Sequence, residues 1–279
     1  MDVKPADLER ADRAALELHG QLAFPLWNSY DPNLFRLGKF LFTVDMEKLA
    51  SAVSAITIPD RASDHILIEI TSSQLRCVGN TLDMNFSCSS SIPLSKDSAI
   101  GPNPICFDIH RKRLKGICRA FKHTVIAFEL DKNENTLSFV LGEENETSFQ
   151  LPVEWCPMLE EPMSSPFLYE LPDIDLLKRA IYYVTPMSMC GRASGRAPVP
   201  QFPGVQFADR TAFGGYSRGL SKFHSAALPD GKFNLPRQEI RNIRSILGRL
   251  RGRCTRFMTH DRSGFKSEVM SCSWKTTSD

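Results

Sequence analysis

Arg237, Arg241, Arg244 and Arg251 follow one another at intervals of four, three and seven residues, the spacing that gathers side chains on one face of a helix. With Arg237 set at zero and 100° per residue, all four fall within about 40° of it, while Ile240, Ile243, Ile246, Leu247 and Leu250 fall between about 180° and 300°. One face would dock on a sheet and the other would leave an arginine stripe in solvent. A second segment behaves alike: Leu114, Ile117 and Phe121 share an apolar face, and Arg111, Lys112, Lys115, Arg119 and Lys122 lie on the adjoining arc without an acid among them. The chemistry such stripes offer is attraction to phosphate. Arginine binds phosphate in a bidentate fork and lysine acts as a point charge; both release condensed counterions whatever the base sequence. Lys48, Lys178 and Arg179, on two further predicted helices, would add to the same surface. A single basic stripe is most often a solvated surface, but two at corresponding positions of a repeat point to nucleic acid.

Other chemistries find little support. The six histidines, His19, His65, His110, His123, His224 and His260, are dispersed, which argues against a metal enzyme. Cys77, Cys88, Cys106, Cys118, Cys156, Cys190, Cys254 and Cys272 contain no C-x-x-C pair and no local hydrolase signature. They read as reduced core thiols; four disulfides are the alternative for an even count, disfavoured without a secretion signal. Gly214-Gly215 lacks the spacing of a phosphate loop. No catalytic residue, metal or cofactor is expected.

The elements that must position the basic residues occur twice. Phe42-Thr-Val-Asp-Met-Glu-Lys-Leu49, a strand running into a helix, reappears as Phe167-Leu-Tyr-Glu-Leu-Pro-Asp-Ile-Asp-Leu-Leu177. Cys106-Phe-Asp-Ile-His-Arg-Lys-Arg-Leu-Lys-Gly-Ile117 reappears as Lys232-Phe-Asn-Leu-Pro-Arg-Gln-Glu-Ile-Arg-Asn-Ile243. Both offsets are about 125 residues, the mark of one domain plan used twice. Between the helices lie period-two strands at Ile66 to Ile70, Gln74 to Val78 and Asp83 to Cys88. After the second helix of each copy come Thr124 to Leu130, Thr136 to Leu141 and Ser148 to Leu151, then Cys254 to His260 and Lys266 to Trp274. Each copy is expected to pack two helices on antiparallel sheet, an α+β plan. Residues 1 to 38 form an appendage with a short helical pattern over Pro5 to Leu18, and the divisions expected are 1–38, 39–160 and 161–279.

The 279 residues are 42% hydrophobic and 24% charged, ordinary for a folded chain of two domains. No apolar stretch is long enough for a membrane span and the N-terminus has no basic-then-apolar pattern, so a cytoplasmic protein without a membrane partner is expected. The net charge of +2 conceals segregation: Gly142 to Asp175 holds nine acids and no Lys or Arg, whereas Gly231 to Asp279 holds eleven Lys or Arg against four acids. A basic surface for phosphates and an acidic one turned away from them would produce this pattern.

Four stretches, in this order, carry a resemblance to a known family: Phe42-Thr-Val-Asp-Met-Glu-Lys-Leu49, Gly79-Asn-Thr-Leu-Asp-Met-Asn-Phe86, Phe149-Gln-Leu-Pro-Val-Glu-Trp-Cys-Pro-Met-Leu159 and Leu235-Pro-Arg-Gln-Glu-Ile-Arg-Asn-Ile243. From about Phe42 to Trp274 the chain resembles the bacterial sliding clamps, the beta subunit of the replicative DNA polymerase. The resemblance implies a ring with sheet outside and helices lining the hole, no catalysis, a loader ATPase that opens the ring, and DNA polymerase as a partner docking through a short peptide. The peptide pocket of that family maps onto Phe202, Gly214, Gly215, Tyr216, Arg218, Pro236 and Arg237.

Two departures matter. The turn read as Phe213-Gly-Gly-Tyr-Ser-Arg-Gly-Leu220 differs from the family's Thr-Asp-Gly-His/Tyr-Arg-Leu, so a plain glycine turn between strands is the alternative to a pocket. Bacterial clamps carry three such domains per chain and close as dimers, whereas two are legible here; a homotrimer would restore six, and a truncated product would leave unpaired edges. The rival to a ring is a clamp-derived interaction module that does not close.

Overall fold

The structure is a computed structural model, and it describes residues 38–56, 64–81, 85–94, 103–141, 147–157, 167–171, 173–189, 204–216 and 219–276. The helix expected over Pro5 to Leu18, with the rest of the appendage, lies outside them. Two compact units divide the chain: unit 1 takes the described residues of Met1–Ile56, Ala62–Gly79 and Ser90–Leu159, and unit 2 those of Thr57–Arg61, Asn80–Ser89 and Glu160–Asp279.

In the first half of the chain, β1 (Lys39–Asp45) runs into α1 (Met46–Ala55), followed by β2 (His65–Ile70), β3 (Gln74–Asn80), β4 (Phe86–Pro93) and β5 (Ile105–His110). Then come α2 (Arg111–Ala120), β6 (Val125–Asp131), β7 (Thr136–Leu141) and β8 (Thr147–Trp155). The strand order begins β1-β6-β7-β8-β5-β2-β3-β4. Unit 2 has β9 (Phe167–Leu171), α3 (Ile174–Met189), β10 (Gly204–Ala208), β11 (Thr211–Tyr216), β12 (Gly219–His224) and β13 (Phe233–Pro236). It continues with α4 (Ile240–Leu247), β14 (Cys254–Met258), β15 (Arg262–Lys266) and β16 (Met270–Lys275). Its strands lie in the orders β16-β15-β14-β9 and β12-β11-β10-β13. The succession of one strand, one helix, four strands, one helix and three strands therefore occurs in both halves. The pairing repeats as well: β1 with β6 and β9 with β14, β2 with β5 and β10 with β13, all antiparallel.

Local chemistry starts and stops these elements. Asp45 caps α1, its Oδ1 accepting from the amides of Glu47 at 2.9 Å and Lys48 at 3.1 Å, which satisfies donors the first turn cannot. Met46, Leu49, Ala52 and Val53, at helical spacing, are buried. In unit 1 Phe42 stacks on Phe128, Phe128 meets Phe139 edge-on, and Phe139 stacks on Phe149. In unit 2 Phe207 stacks on Phe233, which meets Phe265 edge-on, and Phe265 packs on Trp274. Trp274 is fully buried and its Nε1 donates to the Asn234 carbonyl at 3.0 Å, tying β16 to β13.

Several expectations are corrected. The second helix of unit 2 is shorter than its periodicity suggests, covering only Ile240–Leu247. Arg237 sits in a turn closed by the Glu239 amide on the Pro236 carbonyl. Past Gly248 the amide of Arg249 turns to the Ile246 carbonyl, and Gly252 adopts φ +71, a value glycine takes without strain. Arg251 is thus off the helix. Lys122 is likewise beyond α2, whose chain turns at Phe121 because that ring packs edge-on against Phe139 and Phe149. The run read as a strand from Lys266 to Trp274 begins on the last residue of β15 and turns before β16: Ser267 closes a tight turn onto the Met270 carbonyl through its amide and its hydroxyl. Of the strand read from Asp83 to Cys88, Asp83 and Met84 lie outside the described residues, and the strand present is Phe86–Pro93, with Thr81 and Phe86 hydrogen-bonded to each other just before it.

Gly214-Gly215 is also not a turn. Both residues lie inside β11. A Cβ on Gly214 would stand 2.2 Å from the Val184 carbonyl oxygen and 2.3 Å from Ser188 Oγ. Here glycine serves the close approach of α3 to the sheet.

Candidate nucleic-acid interface

Each unit packs its two helices against each other, α1 with α2 and α3 with α4. In α2 the buried residues are Leu114, Ile117 and Cys118, which turns Lys112 and Arg119 into solvent and leaves Arg111 and Lys115 half-buried. The arc without acids in sequence acquires acids through folding. Lys112 Nζ lies 2.7 Å from Asp64 Oδ2, Lys122 Nζ 3.8 Å from Glu47 Oε1, and Lys48 Nζ 3.6 Å from its capping neighbour Asp45. The ammonium of Lys112, hydrogen-bonded to Asp64, holds that carboxyl below its ordinary range. Exposed pairs of this kind are weak and screened by salt, so a phosphate can compete with the carboxylate.

In unit 2 Leu176, Leu177, Ala180, Ile181 and Val184 face the core, so Arg179 emerges on the opposite side of α3. Arg241 and Arg244 emerge from α4, whose Ile240, Ile243, Ile246 and Leu247 are buried. The Arg244 guanidinium lies 5.2 Å from the centre of the Tyr182 ring, which joins the exposed faces of the two helices. Lys178 is half-buried and bonds Asp175 at 2.9 Å. Among the described residues no carboxylate comes within 4.0 Å of Arg111, Arg113, Arg119, Arg179, Arg241 or Arg244. These six guanidinium groups are the strongest candidates for phosphate.

The remaining predicted residues are placed differently. Arg251 bends back to cap its own turn, donating to the carbonyls of Gly248 at 2.9 Å and Leu250 at 3.1 Å. Arg237 is half-buried in the turn before α4. Of the basic C-terminal segment, Arg256 is only 2% exposed, its guanidinium 4.2 Å from the centre of the Phe233 ring, with burial pushing its pKa down. Local charge balance therefore overstates the basic surface.

Of the predicted peptide pocket, Phe202 and Arg218 lie outside the described residues. Gly214 and Pro236 lie on the two strands that flank β10, opposite Val205 and Gly204 respectively, and Arg237 follows Pro236. Tyr216 ends β11. The side of Gly214 where a Cβ would project is occupied by α3.

Sequence reasoning misses Arg113, which projects from α2 outside the counted arc, and Tyr182 and Tyr183, each 62% exposed. Angular bookkeeping on α3 finds the tyrosines, since both fall within about 60° of Arg179 on the arc away from Ile181. Among the described residues no group of three or more His, Cys, Asp or Glu side chains could hold a metal. Burial pushes the thiols of Cys106 and Cys118 up to about 12, so neither is a ready nucleophile. Among the described residues no helix is long and apolar enough to cross a membrane.

No protein-family model and no curated protein sequence matches the chain. Solved structures do. The DNA polymerase III subunit beta of Pseudomonas aeruginosa superposes with a TM-score of 0.64 at 16% identity, covering 86% of this chain and 65% of that one. The DNA polymerase sliding clamp of Bacillus subtilis gives 0.65 at 16% identity over 86% and 65%. A sliding clamp of Bartonella birtlesii gives 0.64 at 13% identity over 86% and 66%. The chain spans about 65% of the length of these clamps. With mostly antiparallel sheet, four helices among the described residues and this likeness, the chain is an α+β protein with the fold of the bacterial DNA sliding clamps.

Proposed function

We propose that this chain is a DNA sliding clamp: a non-catalytic, cytoplasmic processivity factor that encircles duplex DNA during replication and tethers DNA polymerase or repair proteins to it. Its two clamp domains are 39–160 and 161–279, and a clamp loader opens the ring. The observation that carries this reading is the presence, at equivalent places in a repeated order of elements, of helices whose exposed faces hold arginines without carboxylate partners among the described residues. Such faces attract phosphates without reading sequence, which is what sliding requires. Lys48, Lys112, Lys115, Lys122 and Lys178 supplement them as point charges.

Two domains per chain make a ring of six from three copies, related head to tail. Such closure needs free strand edges, and β12 stands at the end of its four-stranded order with Leu220 56% exposed. Light scattering on the purified chain tests this: the account expects three times the chain mass at micromolar concentration. A monomer at all concentrations overturns the self-assembled ring.

A second reading, an interaction module that does not close, is favoured by the carboxylates that occupy Lys48, Lys112 and Lys122. Binding of a polymerase-derived peptide at Gly214, Gly215, Tyr216, Pro236 and Arg237 without any affinity for DNA would establish it.

A further inference from the structure

Tyr182 and Tyr183 are each 62% exposed, an unusual place for two adjacent aromatic rings on a helix that has a well-filled apolar face of its own. The fold covers only part of each ring. Their neighbours on the outer arc of α3 are Arg179 and Pro186, and α4 sends Arg244 over the Tyr182 ring at 5.2 Å. Tyr183 lies parallel to Phe223 of β12, with ring centres 5.7 Å apart and planes 8° apart. The two tyrosine rings meet nearly at right angles, 77°, with centres 6.0 Å apart.

The backbone beneath is firmly set. Gly214 admits α3 against β11, and the one hydroxyl proton of Ser221 is shared between the Gly214 carbonyl at 3.0 Å and the Val184 carbonyl at 3.3 Å. Ser188 Oγ donates to the same Val184 carbonyl at 3.2 Å. Pro186 has no amide to return to the Tyr182 carbonyl. The rings are thus carried on a helix seated against β11 and β12.

From this we infer that the exposed face of α3 and α4 takes unpaired nucleotides of a single-stranded nucleic acid, with bases stacking on Tyr182 and Tyr183 and phosphates held by Arg179, Arg241 and Arg244. Duplex DNA offers phosphates but keeps its bases stacked inside, so arginines alone would serve it. Rings standing in solvent beside guanidinium groups that have no carboxylate within 4.0 Å among the described residues match a strand whose bases are free, because every base has a face to stack and stacking is tolerant of sequence. Charge complementarity favours this occupant: the one acid on this arc, Asp175, is engaged by Lys178. The inference rests on the proposed function in placing α3 and α4 against nucleic acid, and it extends that reading from duplex to the single-stranded flank of a primer junction.

Fluorescence anisotropy on the full chain, with a labelled oligothymidylate and a blunt duplex, tests it. Tyr182→Ala and Tyr183→Ala are each expected to weaken oligothymidylate binding about tenfold and duplex binding less than twofold, while Tyr182→Phe and Tyr183→Phe retain wild-type affinity. Arg241→Glu with Arg244→Glu weakens both ligands. If the alanine variants bind oligothymidylate as the wild type does while the arginine variant loses duplex, the stacking inference is wrong and the clamp reading stands. Equal losses on both ligands also overturn it, assigning the tyrosines to the alignment of Arg244. If the alanine variants instead lose only a DNA polymerase subunit, the face is a protein-docking surface and the inference fails. Wild-type protein that binds neither ligand removes both readings.

Discussion

Replacing Arg111, Arg119, Arg241 and Arg244 together by glutamate is expected to weaken duplex binding by on the order of a hundredfold or more at moderate salt, because each change turns a phosphate attraction into a repulsion. The salt dependence is the sharper measurement. Each phosphate contact contributes about 0.9 to the slope of log affinity against log salt, so four lost contacts should flatten it by about 3.6. Folding should survive, since Arg119, Arg241 and Arg244 are exposed and none of the four has a carboxylate among the described residues to lose. A titration in increasing salt with an unchanged slope would move the DNA contact elsewhere. The lysines are poorer probes. Lys112 is engaged by Asp64 and Lys122 by Glu47, so their replacement also releases an acid that repels DNA.

Trp274→Ala should be the most damaging single change to stability. The side chain is fully buried, and truncating a buried tryptophan costs about 3–5 kcal/mol. The loss also removes the hydrogen bond from Trp274 Nε1 to the Asn234 carbonyl, a further cost of about 0.5–1.5 kcal/mol. Urea unfolding followed by circular dichroism would show the shifted midpoint. Trp274→Phe keeps most of the packing against Phe265 and isolates the contribution of the indole N–H. A change below about 1 kcal/mol for the alanine variant would mean that the contact between β13 and β16 is not what holds unit 2 together.

The parts of this fold legible in the sequence are those fixed by local chemistry. Asp45 ahead of Met46, with Leu49, Ala52 and Val53 at helical spacing, announces both the end of β1 and the buried side of α1. The same logic finds β5 and α2, and the recurrence of both units of pattern about 125 residues later reveals the shared order of elements. What escapes is what tertiary contacts decide. Periodicity runs through Leu250, yet α4 stops at Leu247 because the chain must turn into β14. Ser267-Glu268-Val269 has no glycine or proline to mark it, and only the bonds of Ser267 to Met270 show a turn there. Gly214-Gly215 reads as a turn by composition, but the helix that needs the missing Cβ is some thirty residues away in sequence.

The candidate site divides in the same way. Arg241 and Arg244 are found by counting angles, since the apolar stripe of α4 determines which side faces outward. Arg251 is assigned to the same stripe only if the helix continues, and it does not. The ion pair between Lys112 and Asp64 joins residues 48 apart, so no helical window around α2 contains it. Tyr182 and Tyr183 are passed over because tyrosine within an apolar run is ordinarily counted with the core. Their exposure is set by Ile181 and Val184, which take the inward positions.

Topology is the feature that separates a ring from every other DNA-binding surface. The direct measurement loads the full chain onto a nicked circular plasmid, washes in high salt, and compares retention before and after the circle is cut. The account predicts protein held on the circle and released once the DNA has ends. Equal retention on circular and linear DNA would contradict encirclement.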